Sequence, residues 1–148
     1  MIKDHISSWQ SLRLIKDVTL WPKINPRKAR NAIKKYGINS LTSESIFLII
    51  DNTIFRSAKQ GMFLTEDTLY AFSEYSGKFS IKFKDIRTLK PMINNFLKIP
   101  LIGIEVNEIY FISLPGLSDD IKYLDDSLPA IILLAHFLAE LFSCELLS

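Results

Sequence analysis

Two histidines and one cysteine are the residues best suited to nucleophilic or acid–base chemistry, and their placement argues against it. His5 lies near the start of the chain, while His136 sits inside the apolar run Ala130 to Ala139, where a hydrogen-bonded core imidazole is the expected role. Cys144 follows His136 by eight residues. On one helix that separation is about 12 Å of rise, beyond hydrogen-bond reach. The acid pairs Asp119-Asp120 and Asp125-Asp126 lack the alternating ligands and central glycine of a calcium loop, so they read as charge near a helix start. The chain has no zinc-spaced Cys/His cluster, no phosphate-cradling glycine loop and no serine elbow, and only five glycines in 148 residues. A non-enzymatic protein without metal or cofactor is expected.

Cations offer a different chemistry, the pairing of carboxylate or phosphate groups. Arg27, Lys28, Arg30, Lys34 and Lys35 fall within nine residues, and Arg56 and Lys59 sit in the polar loop Asp51 to Gly61. These seven are the candidate partner-binding residues. The net charge of +2 conceals an uneven distribution: residues 1–38 carry +7, residues 39–104 carry +2 and residues 105–148 carry −7. Such asymmetry suits either an oppositely charged partner or two chain ends that face each other.

The five clustered cations need a helix to sort them. Asn25 is a cap, Pro26 occupies the first helical position and Gly37 closes the last turn, which predicts a helix over 26–36. Ala29, Ala32, Ile33 and Tyr36 recur at i, i+3, i+4 and i+7 and form its apolar stripe. Before it, Ile2, Ile6, Trp9, Leu12 and Ile15 favour a short amphipathic helix, although Leu12, Leu14, Val18 and Leu20 also fit a strand. Trp21-Pro22 interrupts the chain there.

Beyond residue 40 the pattern turns to strands. Ser45 to Ile50 reads as a helical turn entering a strand, and Met62–Thr65 with Leu69–Phe72 flank Glu66-Asp67-Thr68 as a hairpin. Phe79, Ile81 and Phe83 alternate with polar residues after the turn at Gly77. Pro91 and Pro100 bracket a connection over 92–99, expected to be irregular or a single helical turn. Ile102, Ile104 and Val106 then meet Ile109, Phe111 and Ser113 across Asn107-Glu108 in a second hairpin. A final apolar helix is expected from about Leu128 to Leu147, capped by Ser127 or Asp126. Glu140 and Glu145 interrupt it, so a buried helix across an open sheet is favoured over a membrane span.

At this length one domain is expected, with residues 1–24 as an N-terminal extension and 25–148 as the core. The single cysteine and the absence of a leader-like start suit a cytoplasmic protein. The element order predicts α+β architecture, with N-terminal helices, antiparallel hairpins and one long C-terminal helix.

The loop and its flanks carry a resemblance. Ile49-Ile50-Asp51-Asn52-Thr53-Ile54-Phe55, then Ser57-Ala58-Lys59, Gly61, Thr65 and Leu69-Tyr70, resemble the signature of a bacterial domain family with a pleckstrin-homology-like fold, over residues 26 to 90. The resemblance implies a PH-like antiparallel sheet or partly open barrel of two or three hairpins closed by the C-terminal helix, and a binding scaffold rather than a catalyst. Arg56 departs from the pattern, standing where the family usually has glycine; it alters the loop path or projects a charge from its tip. Read without the family, Asp51, Asn52, Thr53 and Ser57 are short polar residues that hold a turn through local backbone bonds.

The expected function is docking onto a partner protein: a cognate toxin, an effector or a complex subunit. An inhibitor or immunity protein, which acts by covering another surface, is the most concrete form. Binding of anionic lipid or phosphate through the basic surface is the alternative. Nucleic acid is disfavoured, because no aromatic platform interleaves the cations.

Overall fold

A computed structural model of the chain describes residues 2–15, 17–51, 61–73, 77–94, 101–114, 117, 120, 121 and 128–148. The architecture is α+β, with antiparallel sheets and, among the described residues, three α-helices. Its contacts divide the chain into two units, Met1–Phe83 and Lys84–Ser148.

The first unit contains α1 (Ile2–Ser8), a 3₁₀ turn, β1 (Val18–Leu20), α2 (Pro26–Tyr36), β2 (Leu48–Asp51), β3 (Gly61–Leu64), β4 (Thr68–Ser73) and β5 (Gly77–Lys82). The five strands form one antiparallel sheet in sequential order. Residues 2–24, read above as an extension, contribute β1 to that sheet and Ile2, Ile6, Leu12 and Ile15 to buried positions. Three residues are too few for periodicity to identify β1. It is fixed by pairing, Val18 to Leu20 against Ile50 to Leu48, with the Asp51 and Trp21 amides donating to Asp17 and Phe47 at either end.

Local chemistry sets the limits of α2 where expected. The Asn25 Oδ1 accepts from the Lys28 amide at 3.1 Å, Pro26 opens the first turn, and Gly37 closes the helix at φ 69°. That left-handed cap lets the Gly37 amide reach the Ile33 and Lys34 carbonyls, both about 3 Å away. A 3₁₀ turn at Ser43–Ser45 enters β2, as the apolar run suggested. All four residues of β2 are buried, so the strand is covered on both faces. Gly61, at φ 127°, brings the chain back into the sheet opposite Asp51 and Phe72.

The apolar stripe of α2 docks on this sheet. Ala29 and Ala32 pack with Ile46, Ile49, Phe63 and Phe72, while Ile33, Tyr36 and Tyr70 close the margin. Two alanines let the helix approach closely, and Tyr36 then meets Phe63, Tyr70 and Phe72 edge-on at 5.2 to 5.6 Å. Each such aromatic pair adds about 0.5–1.5 kcal/mol beyond area burial.

The second unit contains β6 (Thr88–Asn94), β7 (Leu101–Val106), β8 (Tyr110–Ser113), β9 (Asp120–Ile121), β10 (Leu128–Pro129), α3 (Ala130–Phe142) and β11 (Glu145–Leu146). Its main sheet runs β11-β6-β7-β8, with β11 parallel to β6 and the remaining pairs antiparallel. Asn107 and Glu108 take φ of 54° and 60° at the predicted β7–β8 turn. The Asn107 side chain also accepts from the Arg87 and Thr88 amides and donates to the Asp85 carbonyl, bonds across about twenty residues of sequence.

Four expectations are corrected in this unit. Pro91 and Met92 lie inside β6 rather than in a connection; β11 reaches only Leu89 on the far side of β6, and beyond it no described strand needs an amide from residue 91. The final helix is shorter than 128–147, because Ser143 adopts φ 54° and turns the chain into β11. Its N-cap is Pro129, which makes no side-chain cap bond, in place of Ser127 or Asp126. His136 is exposed, not a core imidazole: α3 buries its flanking residues, packs on β6 and β7, and leaves His136 and Glu140, one turn apart, facing outward. No described helix is long and apolar enough to cross a membrane.

Candidate partner-binding surface

The seven candidate cations separate once α2 is seated. Burying Ala29, Ala32, Ile33 and Tyr36 turns Arg27, Arg30 and Lys34 outward at i, i+3 and i+7, all three exposed. None forms an ion pair with a described residue. Neighbours three and four apart on a helix bring their Cβ atoms to about 5–6 Å, and like charges there repel by about 0.2–0.5 kcal/mol per pair. The row is therefore slightly unfavourable for the isolated helix. It becomes favourable opposite an anionic surface.

Lys28 has a different position. Its Nζ lies 3.7 Å from the Oδ2 of Asp51, with the two side chains 17% and 1% exposed. The pair joins the first turn of α2 to the end of β2, and Asp51 also donates its amide to the Asp17 carbonyl at 2.9 Å. A carboxylate this deeply buried requires a compensating charge. Lys28 supplies a positive charge at that distance, and the pair ties the helix to the sheet.

Lys35 is exposed and stands beside a cation that the sequence pattern did not single out. Lys78, on β5, donates through Nζ to the Lys35 carbonyl at 3.1 Å and lies 5.9 Å from the centroid of the Tyr36 ring. Its place on the exposed side of the alternating β5 run was the available signal, but nothing local tied it to α2. Tyr36 anchors the same corner, donating its hydroxyl to the Phe79 carbonyl at 2.7 Å, and burial pushes that hydroxyl above the ordinary tyrosine range. Arg56 and Lys59 lie outside the described residues.

A groove of about 510 Å³ opens at the C-terminal end of α2. Arg30, Lys34, Asn39 and Thr42 line it with polar groups, and Ile33, Ile38 and Leu41 with half-buried aliphatic surface. Elsewhere, Cys144 follows the α3 cap half-buried, and burial pushes its thiol up, away from the reactive thiolate. Among the described residues no group of three or more His, Cys, Asp or Glu is arranged to hold a metal ion.

Comparison of the chain with protein-family models, with curated proteins and with solved structures finds no match.

Proposed function

We propose that this protein is a non-enzymatic, PH-like binding module that docks onto a partner protein through the outward face of α2, most concretely as an inhibitor or immunity-type protein covering a cognate toxin or effector. The supporting observation is the row Arg27, Arg30 and Lys34: three exposed cations aligned on a rigid helix, with no acidic partner among the described residues. Lys35 and Lys78 extend the basic surface at one end. Complementary charge of this kind raises association rates and selects partners more than it adds raw affinity. The PH-like reading draws on the hairpin strands followed by helix α3, together with the motif that ends β2 and opens β3.

Affinity capture tests the docking surface. The tagged chain should retrieve one stoichiometric protein from its own cell, and the double reversal Arg27→Glu/Lys34→Glu should reduce recovery at least about ten-fold, most strongly at low salt. Recovery unchanged by the reversal would remove α2 from the interface. Flotation with anionic vesicles addresses the lipid alternative. Binding that collapses at raised salt would reassign the basic face to a membrane surface, and its absence at low salt would exclude that ligand.

A further inference from the structure

We infer that the groove at the C-terminal end of α2 is the anchor point of this interface and takes an extended acidic segment of the partner that also carries a bulky apolar side chain. The inference rests on the docking reading and assigns its chemistry.

Charge argues first. Arg30 and Lys34 are one helical turn apart on the same helix, and among the described residues no carboxylate lines the groove. The nearby Glu44 accepts from the Thr42 hydroxyl at 3.4 Å and lines two adjacent grooves instead. The cation at position 34 complements the negative end of α2, but Arg30 lies mid-helix, beyond the last turn over which that dipole acts. Its guanidinium is suited to a bidentate carboxylate contact.

The apolar lining argues second. A site for a bare anion needs donors and little else, whereas here Ile33, Ile38 and Leu41 each present aliphatic surface to the opening. Burying that surface against a Leu, Ile or Phe of the partner would gain about 25 cal/mol per Å² removed from water. The volume of about 510 Å³ falls within the ordinary range for binding sites. Its open form suits a stretch of chain rather than an enclosed small molecule.

The walls are also fixed before binding. The Gly37 cap holds one side, and the Leu41 amide bonds the Ile38 carbonyl at 3.4 Å. Thr42 and Ser45 then exchange bonds: the Ser45 amide donates to the Thr42 carbonyl at 2.9 Å, and the Thr42 amide to the Ser45 Oγ at 3.3 Å. Less ordering cost remains to be met on association.

A random display library of twelve-residue peptides selected on the intact chain provides the test, with Arg30→Glu/Lys34→Glu and Ile38→Ser/Leu41→Ser as comparison baits and thermal melting as the check that each folds. Peptides combining Asp or Glu with a neighbouring Leu, Ile or Phe should be enriched, and their affinity should fall at least ten-fold on either bait. Failure to enrich any peptide, enrichment of basic or purely polar peptides, or binding indifferent to Ile38→Ser/Leu41→Ser would overturn the inference. Partner capture that is lost with Arg27→Glu/Lys34→Glu but survives Ile38→Ser/Leu41→Ser would preserve the docking reading and remove the groove from it. Capture insensitive to both double variants would remove both.

Discussion

Helices α2 and α3 have similar lengths and opposite relations to their surroundings. In α3, nine of thirteen residues are buried and the helix carries one acid and no Lys or Arg. In α2, only Ala29 and Ala32 of eleven residues are buried, and five are cationic. The contrast extends to the units that contain them: Met1–Phe83 has thirteen Lys/Arg against seven Asp/Glu, while Lys84–Ser148 has five against nine. A helix apolar nearly all round contributes to stability through packing, whereas one that is apolar on a single stripe keeps the rest of its surface for contact. Their mutational profiles should differ accordingly.

The largest effect should come from α3. Phe137 is fully buried, so Phe137→Ala should lower stability by about 3–5 kcal/mol, read as a fall in the urea midpoint. A cost below about 1 kcal/mol would mean that α3 is not a core helix. Within α2, Lys28→Met is expected to cost about 2–3 kcal/mol, somewhat under the usual cost of breaking a buried pair because Lys28 retains some exposure. Restoration by the companion change Asp51→Leu would sharpen the distinction between this lysine and its outward neighbours.

Tyr36 supplies a smaller and pH-dependent effect. Tyr36→Phe removes the bond to the Phe79 carbonyl and should cost about 1 kcal/mol at neutral pH. Because the folded-state pKa of Tyr36 is raised, its contribution is fully present below the unfolded value of about 10 and is lost as pH rises above it. Wild-type stability should therefore fall more steeply than that of Tyr36→Phe in alkaline denaturation, and parallel curves would contradict the burial of the hydroxyl.

The smallest stability change belongs to Arg30→Glu/Lys34→Glu, expected within about 0.5 kcal/mol of wild type. A loss above about 1 kcal/mol would make the outward face structural and dissolve the contrast between the helices.

The limits of α2 were legible because caps are local: Asn25, Pro26 and Gly37 act within a few residues of themselves. The two hairpins were legible for the same reason, as alternating side chains flank short turns. The strands β1 and β11, of three and two residues, carry too little pattern to be seen before their partners are in place. In α3, His136 and Glu140 stand at i and i+4 and both face outward; that polar pair marked the outer side of an otherwise apolar run, and reading the run as buried all round misplaced His136.

The sequence alone thus determined where the basic helix begins and ends, which of its faces is apolar, and that its cations are numerous. Tertiary structure decided what each cation does. Asp51 reaches Lys28 from β2 and pairs with it, Lys78 comes to Lys35 across 43 residues, and Arg30 and Lys34 line the aliphatic groove that includes Gly37. The physical reason is the range of the forces: capping and turn propensities act over a few residues, while ion pairing and apolar burial depend on neighbours that only the folded chain assembles.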